Sequence, residues 1–459
     1  MTEKNFFTKL PYLIFLSILA LGFWYKGLES IGITLFLTVG FFILIFSKNS
    51  IYFLPYLLNS LFMISQTEWN LELIPIYLYI TPVILILGMV IHSIRFKVNI
   101  FKGKFLLGIS ILALAIIIST IVNTEVYDMN IALLFVVAIF FVMLYGFFAN
   151  TIQGDNLRYL IRILVILGIL ISAQVFIYYL DIYLTEGSLA VHNALAHKEI
   201  NLGWGISNFV ATYLIMFISA TVYFIKKYKL HIFWIVLALF EIAMLLFTLS
   251  RAGILAFLVT SVFLILFMFI KYEHKLNLLL NLFLGALVFG GIVYFTKDYF
   301  ITVIERLELQ GLDDSGRIML WREAVTIIKA NPIFGKGILA RSTAVGQNEL
   351  RMFHNTILHI LACFGIMGGL ALLVQFVSIL RIFFYKFNQE KAILLIALIG
   401  ANIHGMVDNI YIMPQYMIIM FVIIAVVENA GKIDKMRDEL RVNWGYYEIW
   451  KKNVFIIST

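Results

Sequence analysis

Residues 351–360 read RMFHNTILHI, so Arg351, His354 and Asn355 stand directly before an apolar run. Histidine, with an unperturbed pKa near 6.5, accepts a proton at neutral pH. Arginine keeps its charge and its planar fork of donors at any physiological pH, which suits the oxygens of a phosphate or diphosphate. Three more arginines stand in comparable settings: Arg251 in TLSRAGILAF, Arg317 in SGRIMLW, and Arg341 after NPIFGKGILA. Brought together, such a set would hold a polyanion while the histidine accepts a proton.

Charge alone favours a plainer account. The stretch from 297 to 353 also holds Asp298, Glu305, Glu308, Asp313, Asp314, Glu323 and Glu349, so its arginines can form surface ion pairs. The acids, however, are concentrated before residue 324. Beyond it, Lys329, Lys336, Arg341 and Arg351 face Glu349 alone.

Other candidates are secondary. Glu241 falls near the middle of an apolar run, where an acid is either a proton site or a structural hydrogen bond inside a bundle. His404 and Asp408 are four apart, which on a helix puts them on one face as a pair. As metal ligands they are too few for a site, and nothing nearby supplies a third at recognisable spacing, so no metal is expected. His192 and His197 have no evident partner. Cys363, the only cysteine, lies in an apolar run, which excludes disulfides and cysteine metal clusters. No Gly-rich Walker loop is present, and no cofactor is expected.

The elements that must position these residues are membrane helices. Apolar residues make up 62% of the chain and charged ones 13%, far from soluble proportions, so the expected class is an all-α integral membrane protein. Apolar runs of roughly spanning length recur from 10–25 to 412–427, giving a bundle of about 12–14 transmembrane helices. The weakest run, 51–66, contains Pro55 and Asn59, and the last two share one stretch interrupted by HGMVDN. The net charge of +8 is scattered between spans rather than gathered on one face, so it reports topology and not nucleic acid. Basic segments such as RFKVNIFKGK, KKYK and the tail fall in alternate connections, all on one side, which puts both termini in the cytoplasm.

Residues 1–230 then form N-terminal spans, 231–428 the region that holds most of the candidate site residues, with a long outer loop at 297–353, and 429–459 a cytoplasmic tail. Within the loop, Ile318, Trp321, Val325 and Ile328 recur at helical spacing and Asn331-Pro332 ends the run. This predicts an amphipathic helix lying on the outer membrane surface. Gly365, Gly368 and Gly369 predict close helix packing behind His354.

Four stretches together resemble a known family. TLSRAG at an outer turn, SGRIMLWREAVTIIKANPIFGKG in the long loop, FHNTILHILACFGIMGGLALL at re-entry and HGMVDN in a late span are similar to the O-antigen ligase and Wzy polymerase superfamily, over roughly Phe247 to Asp408. The resemblance implies a bacterial cytoplasmic-membrane glycosyltransferase with a fold like the GT-C class. Such an enzyme moves a glycan from a polyprenyl diphosphate carrier to an acceptor hydroxyl on the outer face, without a metal. It implies that Arg251 and Arg317 bind the diphosphate and that His354 is the base. Arg341, Arg351 and Asn355 join the substrate-binding set by position alone. The implied partners are a polyprenyl-diphosphate-linked glycan donor, a glycan or lipid-linked acceptor, membrane lipid, and a flippase and chain-length regulator.

Within that family the motifs are shared by polymerases, which join lipid-linked repeats, and ligases, which move finished glycan to lipid A core or another acceptor. The Lys-, Ile-, Phe- and Asn-rich composition resembles that of low-GC bacteria, many of which lack a lipid A acceptor, and leans towards a polymerase. A lipid-linked oligosaccharide flippase would use Glu241 for coupling and should show two similar halves, which the chain does not. A peptidoglycan polymerase of the shape, elongation and division type would need an outer-loop carboxylate, for which Asp313 and Asp314 are candidates.

Overall fold

The computed structural model describes residues 9–64, 76–123, 129–227, 231–270, 275–310, 316–337 and 352–457. These form helices and their connections, with one isolated β-bridge between Asn201 and Ile206. In chain order the N-terminal helices are α1 (Leu10–Tyr25), α2 (Glu29–Phe46), α3 (Leu54–Ser60), α4 (Ile76–Arg95), α5 (Leu106–Val122) and α6 (Met129–Thr151). Next come α7 (Leu157–Glu186), α8 (Ser188–His197), α9 (Ser207–Lys227), α10 (His231–Phe247), α11 (Arg251–Phe269) and α12 (Lys275–Phe295). The chain continues with α13 (Lys297–Gln310), α14 (Arg317–Ala330), α15 (Thr356–Phe384), α16 (Gln389–Gly405) and α17 (Pro414–Ile457).

Among the described residues, seven helices are long and apolar enough to cross a membrane: α2, α7, α9, α11, most of α12, α15 and the Pro414–Met436 part of α17. Shorter apolar helices include α1, α5, α10 and parts of α4 and α6. The protein is an all-α integral membrane protein. The α9 and α17 segments are each 89% buried and form the centre of the bundle, whereas α12, at 11%, lies at its periphery.

Contacts between helix ends sort them onto two faces. On one, Ser50 bonds Thr151, the His92 ring bonds the Leu44 carbonyl, Lys226 donates to the carbonyls of Phe267 and Ile270, and Lys391 donates to that of Tyr385. On the other, Trp24 donates to the Leu202 carbonyl, Asn123 to that of Gly335, and Asn208 to Asp408. This second face carries α8, α13 and α14 and is called the site face below.

The predicted span at 51–66 is not one long helix. A 3-10 turn at Ser50–Phe53 leads into the seven-residue α3 with Pro55 in its first turn, and residues 65–75 lie outside the described set. Helix from Ser50 to Ser60 covers only about 16 Å of the roughly 30 Å hydrocarbon core. Its polar residues are satisfied locally: Asn59 donates to the Pro55 carbonyl and accepts from Ser17, and Ser60 donates to the Leu57 carbonyl.

The long loop holds two helices where one was expected. Charged residues interrupt the apolar pattern of α13, which hid it from a periodicity reading. The expected α14 is present, but a different stripe is buried: Leu320, Ala324 and Ile327 pack with Phe353, Ile360 and Ala362. Ile318 and Val325, from the predicted stripe, are exposed. The helix therefore uses two faces, one for the protein and one available to lipid.

Behind α14, the segment Pro332–Gly337 is seated in a break of α15. Gly365 has φ 61° and ψ −153°, which interrupts the helix after a nine-residue first part, Thr356–Phe364. The groups freed there are taken up by the seated segment: Lys336 N–H donates to the Ala362 carbonyl, Gly337 N–H to that of Cys363, and Ile366 N–H to that of Pro332, at 2.8–2.9 Å. Left unpaired, such buried groups would each cost about 1–3 kcal/mol. A Cβ on Gly335 would lie 2.3 Å from the Cys363 carbonyl carbon, and one on Gly365 would lie 2.3 Å from the Ile333 oxygen. Gly365 therefore serves, with Gly335, a backbone splice and not the helix–helix packing that its sequence suggested. Gly368 would meet Ile360 and Phe364 of its own helix, and Gly369 would meet Leu361.

Candidate functional site

His354 occupies a left-handed turn, φ 43°, just before α15. For a residue with a Cβ this conformation costs about 1–3 kcal/mol and has to be held by its surroundings. Asn355 holds it from one side: its Oδ1 caps α15 by accepting from Leu358 N–H at 3.0 Å, and its Nδ2 donates to the Met406 carbonyl at 2.8 Å. Thr356 holds it from the other, donating to the Asp408 carbonyl at 3.1 Å and accepting from Ile410 N–H at 3.2 Å. Both polar ends of the Asn355 amide are thus engaged, Oδ1 in capping α15 and Nδ2 in joining two turns. The Phe353 side chain is buried against α14, and Trp321 Nε1–H reaches the His354 carbonyl at 3.4 Å.

The turn facing His354 carries Asp408. The sequence suggested that Asp408 pairs with His404 on one helix face, but α16 ends at Gly405 and Asp408 lies in the turn beyond it. His404 Nδ1 instead meets Thr212 Oγ1 at 2.7 Å, while Asp408 Oδ1 meets His354 Nδ1 at 3.1 Å. Burial would raise the Asp408 pKa, but the hydrogen bond from His354 and the nearby histidine charges outweigh it and bring the pKa down to about 2. Asp408 is therefore a carboxylate under all physiological conditions, and also accepts Asn409 N–H at 2.8 Å.

The cations come from separate elements of the same face. Arg317 begins α14, one turn from Trp321, and Arg251 begins α11, capped by Ser250, whose Oγ accepts Gly253 N–H. Lys198 follows α8 in a left-handed turn, φ 60°. Partial burial, followed by the positive charges of Arg317, Arg251 and Arg306, lowers the Lys198 pKa to about 8, with Asp408 opposing them. The charges of all three arginines bear on Lys198, so the four cations lie near one another on this face. Arg306 comes from α13, and its Nε is buried with no hydrogen-bond partner.

Lys198 and Arg306 were not singled out as site residues by sequence reasoning. Neither has a motif around it, and only α8 and α13 bring them in. These two helices are joined by His192, whose Nδ1 meets Thr302 Oγ1 at 2.7 Å and whose ring stacks on Tyr299. His192 therefore has the partner that the sequence did not reveal. Arg341 and Arg351 lie outside the described residues. Glu241 belongs elsewhere: it is buried mid-bundle, accepts from Thr221 at 3.1 Å and lies against Gly168.

An apolar cavity of about 520 Å³ lies between α7, α10, α12 and α13. Its lining includes Tyr179, Phe240, Phe247, Val288, Phe289 and Phe300. Phe247 lies four residues before Arg251 in the chain, and Phe300 six before Arg306 on α13, so two of the lining residues are near neighbours in sequence of two of the cations. An anion with an apolar tail would match both parts.

A comparison with curated proteins gives no match to the chain. The Wzy_C family model, O-antigen ligase, matches residues 233–373, a stretch that includes Arg251, Arg306, Arg317 and His354 and stops short of Asp408. This match, in a helical membrane bundle, makes residues 233–373 similar to the O-antigen ligase domain and supports a relation to the O-antigen ligase and Wzy superfamily.

Proposed function

We propose that this protein is a membrane glycosyltransferase that polymerises polyprenyl-diphosphate-linked oligosaccharide repeats on the outer face of the bacterial cytoplasmic membrane. The observation that carries this reading is the convergence of Lys198, Arg251, Arg306 and Arg317 with the His354–Asp408 pair, in a bundle that also holds an apolar cavity. The cations receive the diphosphate, and the cavity receives the first part of the isoprenoid tail.

With Nδ1 committed to Asp408, His354 Nε2 is the nitrogen left for an acceptor hydroxyl. The hydroxyl oxygen bonds to the anomeric carbon as its proton moves to Nε2, and Asp408 stabilises the imidazolium. The bond from that carbon to the diphosphate oxygen breaks with its electron pair, and the polyprenyl diphosphate leaves as an anion. One displacement inverts the anomeric centre. A diphosphate needs no proton to leave, so stabilisation of the growing charge by fixed cations is the larger contribution. The positive charge comes from side chains, which makes the proposed reaction metal-independent.

The test is the size distribution of polyprenyl-linked glycan on the outer face of cells carrying His354→Ala, against wild type. Accumulated single repeats are expected. Long unattached chains would make the protein a ligase, and repeats retained on the inner face would replace the reading with a flippase.

A further inference from the structure

The side chain of Asn208, at the start of α9, is bonded on both sides by groups of the site. Its Oδ1 accepts from Lys198 Nζ at 3.2 Å and from Ser250 Oγ at 2.8 Å. Its Nδ2 donates to Asp408 Oδ2 at 2.8 Å. Its backbone carbonyl accepts from Thr212 Oγ1 at 3.1 Å, the same hydroxyl that meets His404 Nδ1.

The chemistry of these partners fixes the direction of the amide. An ammonium only donates, so Lys198 requires the oxygen end, and a carboxylate only accepts, so Asp408 requires the nitrogen end. With Oδ2 satisfied by Asn208, Asp408 Oδ1 is left for His354 Nδ1–H, which sets the tautomer with the Nε2 lone pair available. One asparagine thus links the end of α8, the cap of α11 and the turn after α16. The charged and titratable groups around it are Lys198, Arg251, Arg306, Arg317, His354, His404 and Asp408.

We propose that Asn208 is a positioning residue that couples the cation pocket to the base: it orients Asp408, and through it the His354 imidazole, while holding Lys198 at the pocket. This rests on the glycosyl-transfer reading above. The substitution Asn208→Asp tests it directly. It sets a second carboxylate against Asp408, so the pair shares a proton more readily as the pH falls. When that carboxyl is protonated, its O–H donates to Asp408 and its carbonyl accepts from Lys198 and Ser250, as the amide does.

The experiment measures glycan transfer by the full-length protein in lipid nanodiscs, with a synthetic polyprenyl-diphosphate oligosaccharide as substrate, from pH 6 to 9. Asn208→Leu is expected to lower kcat by about 10- to 100-fold with a smaller change in KM, the scale of a misplaced catalytic group. Asn208→Asp should be equally poor at high pH, and its activity relative to wild type should rise as the pH falls. A deficit in Asn208→Asp that is constant with pH, or wild-type kcat in both variants, overturns the proposal while an inactive His354→Ala still supports the base. Wild-type transfer by His354→Ala removes the reading on which it rests. If Asn208→Leu does not accumulate in membranes, the pH trend of Asn208→Asp decides alone.

Discussion

His354 Nδ1 lies 3.1 Å from Asp408 Oδ1, although 54 residues separate the two in the chain. Two turns are responsible, one entering α15 and one leaving α16, stitched together by the side chains of Asn355 and Thr356. A carboxylate held in this way orients the imidazole and stabilises it once it has taken a proton.

If the pair acts as a unit, its losses will not add. His354→Ala should lower transfer by about 10²- to 10⁴-fold, and Asp408→Asn should lower it substantially. The double variant should be no worse than His354→Ala alone. Multiplying losses in a double-mutant cycle on kcat would separate the two residues.

Arg317→Lys should lose about 10²-fold in kcat, because lysine retains the charge without the fork that binds two phosphate oxygens. Turnover equal to wild type would make Arg317 an ordinary surface charge.

Lys198 should give the proposed transfer a pH dependence. Its pKa of about 8 means that the ammonium is present below that value and is lost as the pH rises through it. Donor affinity at low donor concentration should therefore fall on the alkaline side, with KM rising above about pH 8. A bound diphosphate raises the pKa, so kcat should hold to higher pH than kcat/KM. Lys198→Arg should remove the alkaline rise in KM; an unchanged profile would take Lys198 out of the pocket.

Gly365→Ala and Gly335→Ala should each lower thermal stability, since each residue has positive φ and its Cβ would press on backbone at 2.3 Å. The left-handed conformation alone costs about 1–2 kcal/mol for a residue with a Cβ. A melting temperature in detergent equal to that of wild type would mean that Pro332–Gly337 is not seated in the break of α15.

Glu241→Gln should leave transfer close to wild type. The carboxyl accepts from Thr221 between α7, α9 and α10, and an amide oxygen keeps that bond. Loss of glycan transfer with normal membrane levels would give Glu241 a functional role.

Much of this protein is legible in its sequence. The apolar content and the length of its runs determine a helical membrane protein, because lipid offers no partner to an unpaired backbone group. The motifs around Arg251, Arg317 and His354 point to phosphate and proton chemistry, since residue type fixes what each side chain does. Helical spacing also locates α14, and Asn331-Pro332 its end.

The tertiary structure decides which residues meet. Periodicity describes the faces of a helix, whereas this site is built from helix ends, and the partners of an end depend on how the whole bundle packs. Hence Asp408 turns to His354 instead of His404, and Lys198 and Asn208 enter from an earlier part of the chain. The same holds for Gly365, whose sequence signals only smallness. Its use in opening α15 to another backbone follows from a segment that arrives from about 30 residues upstream.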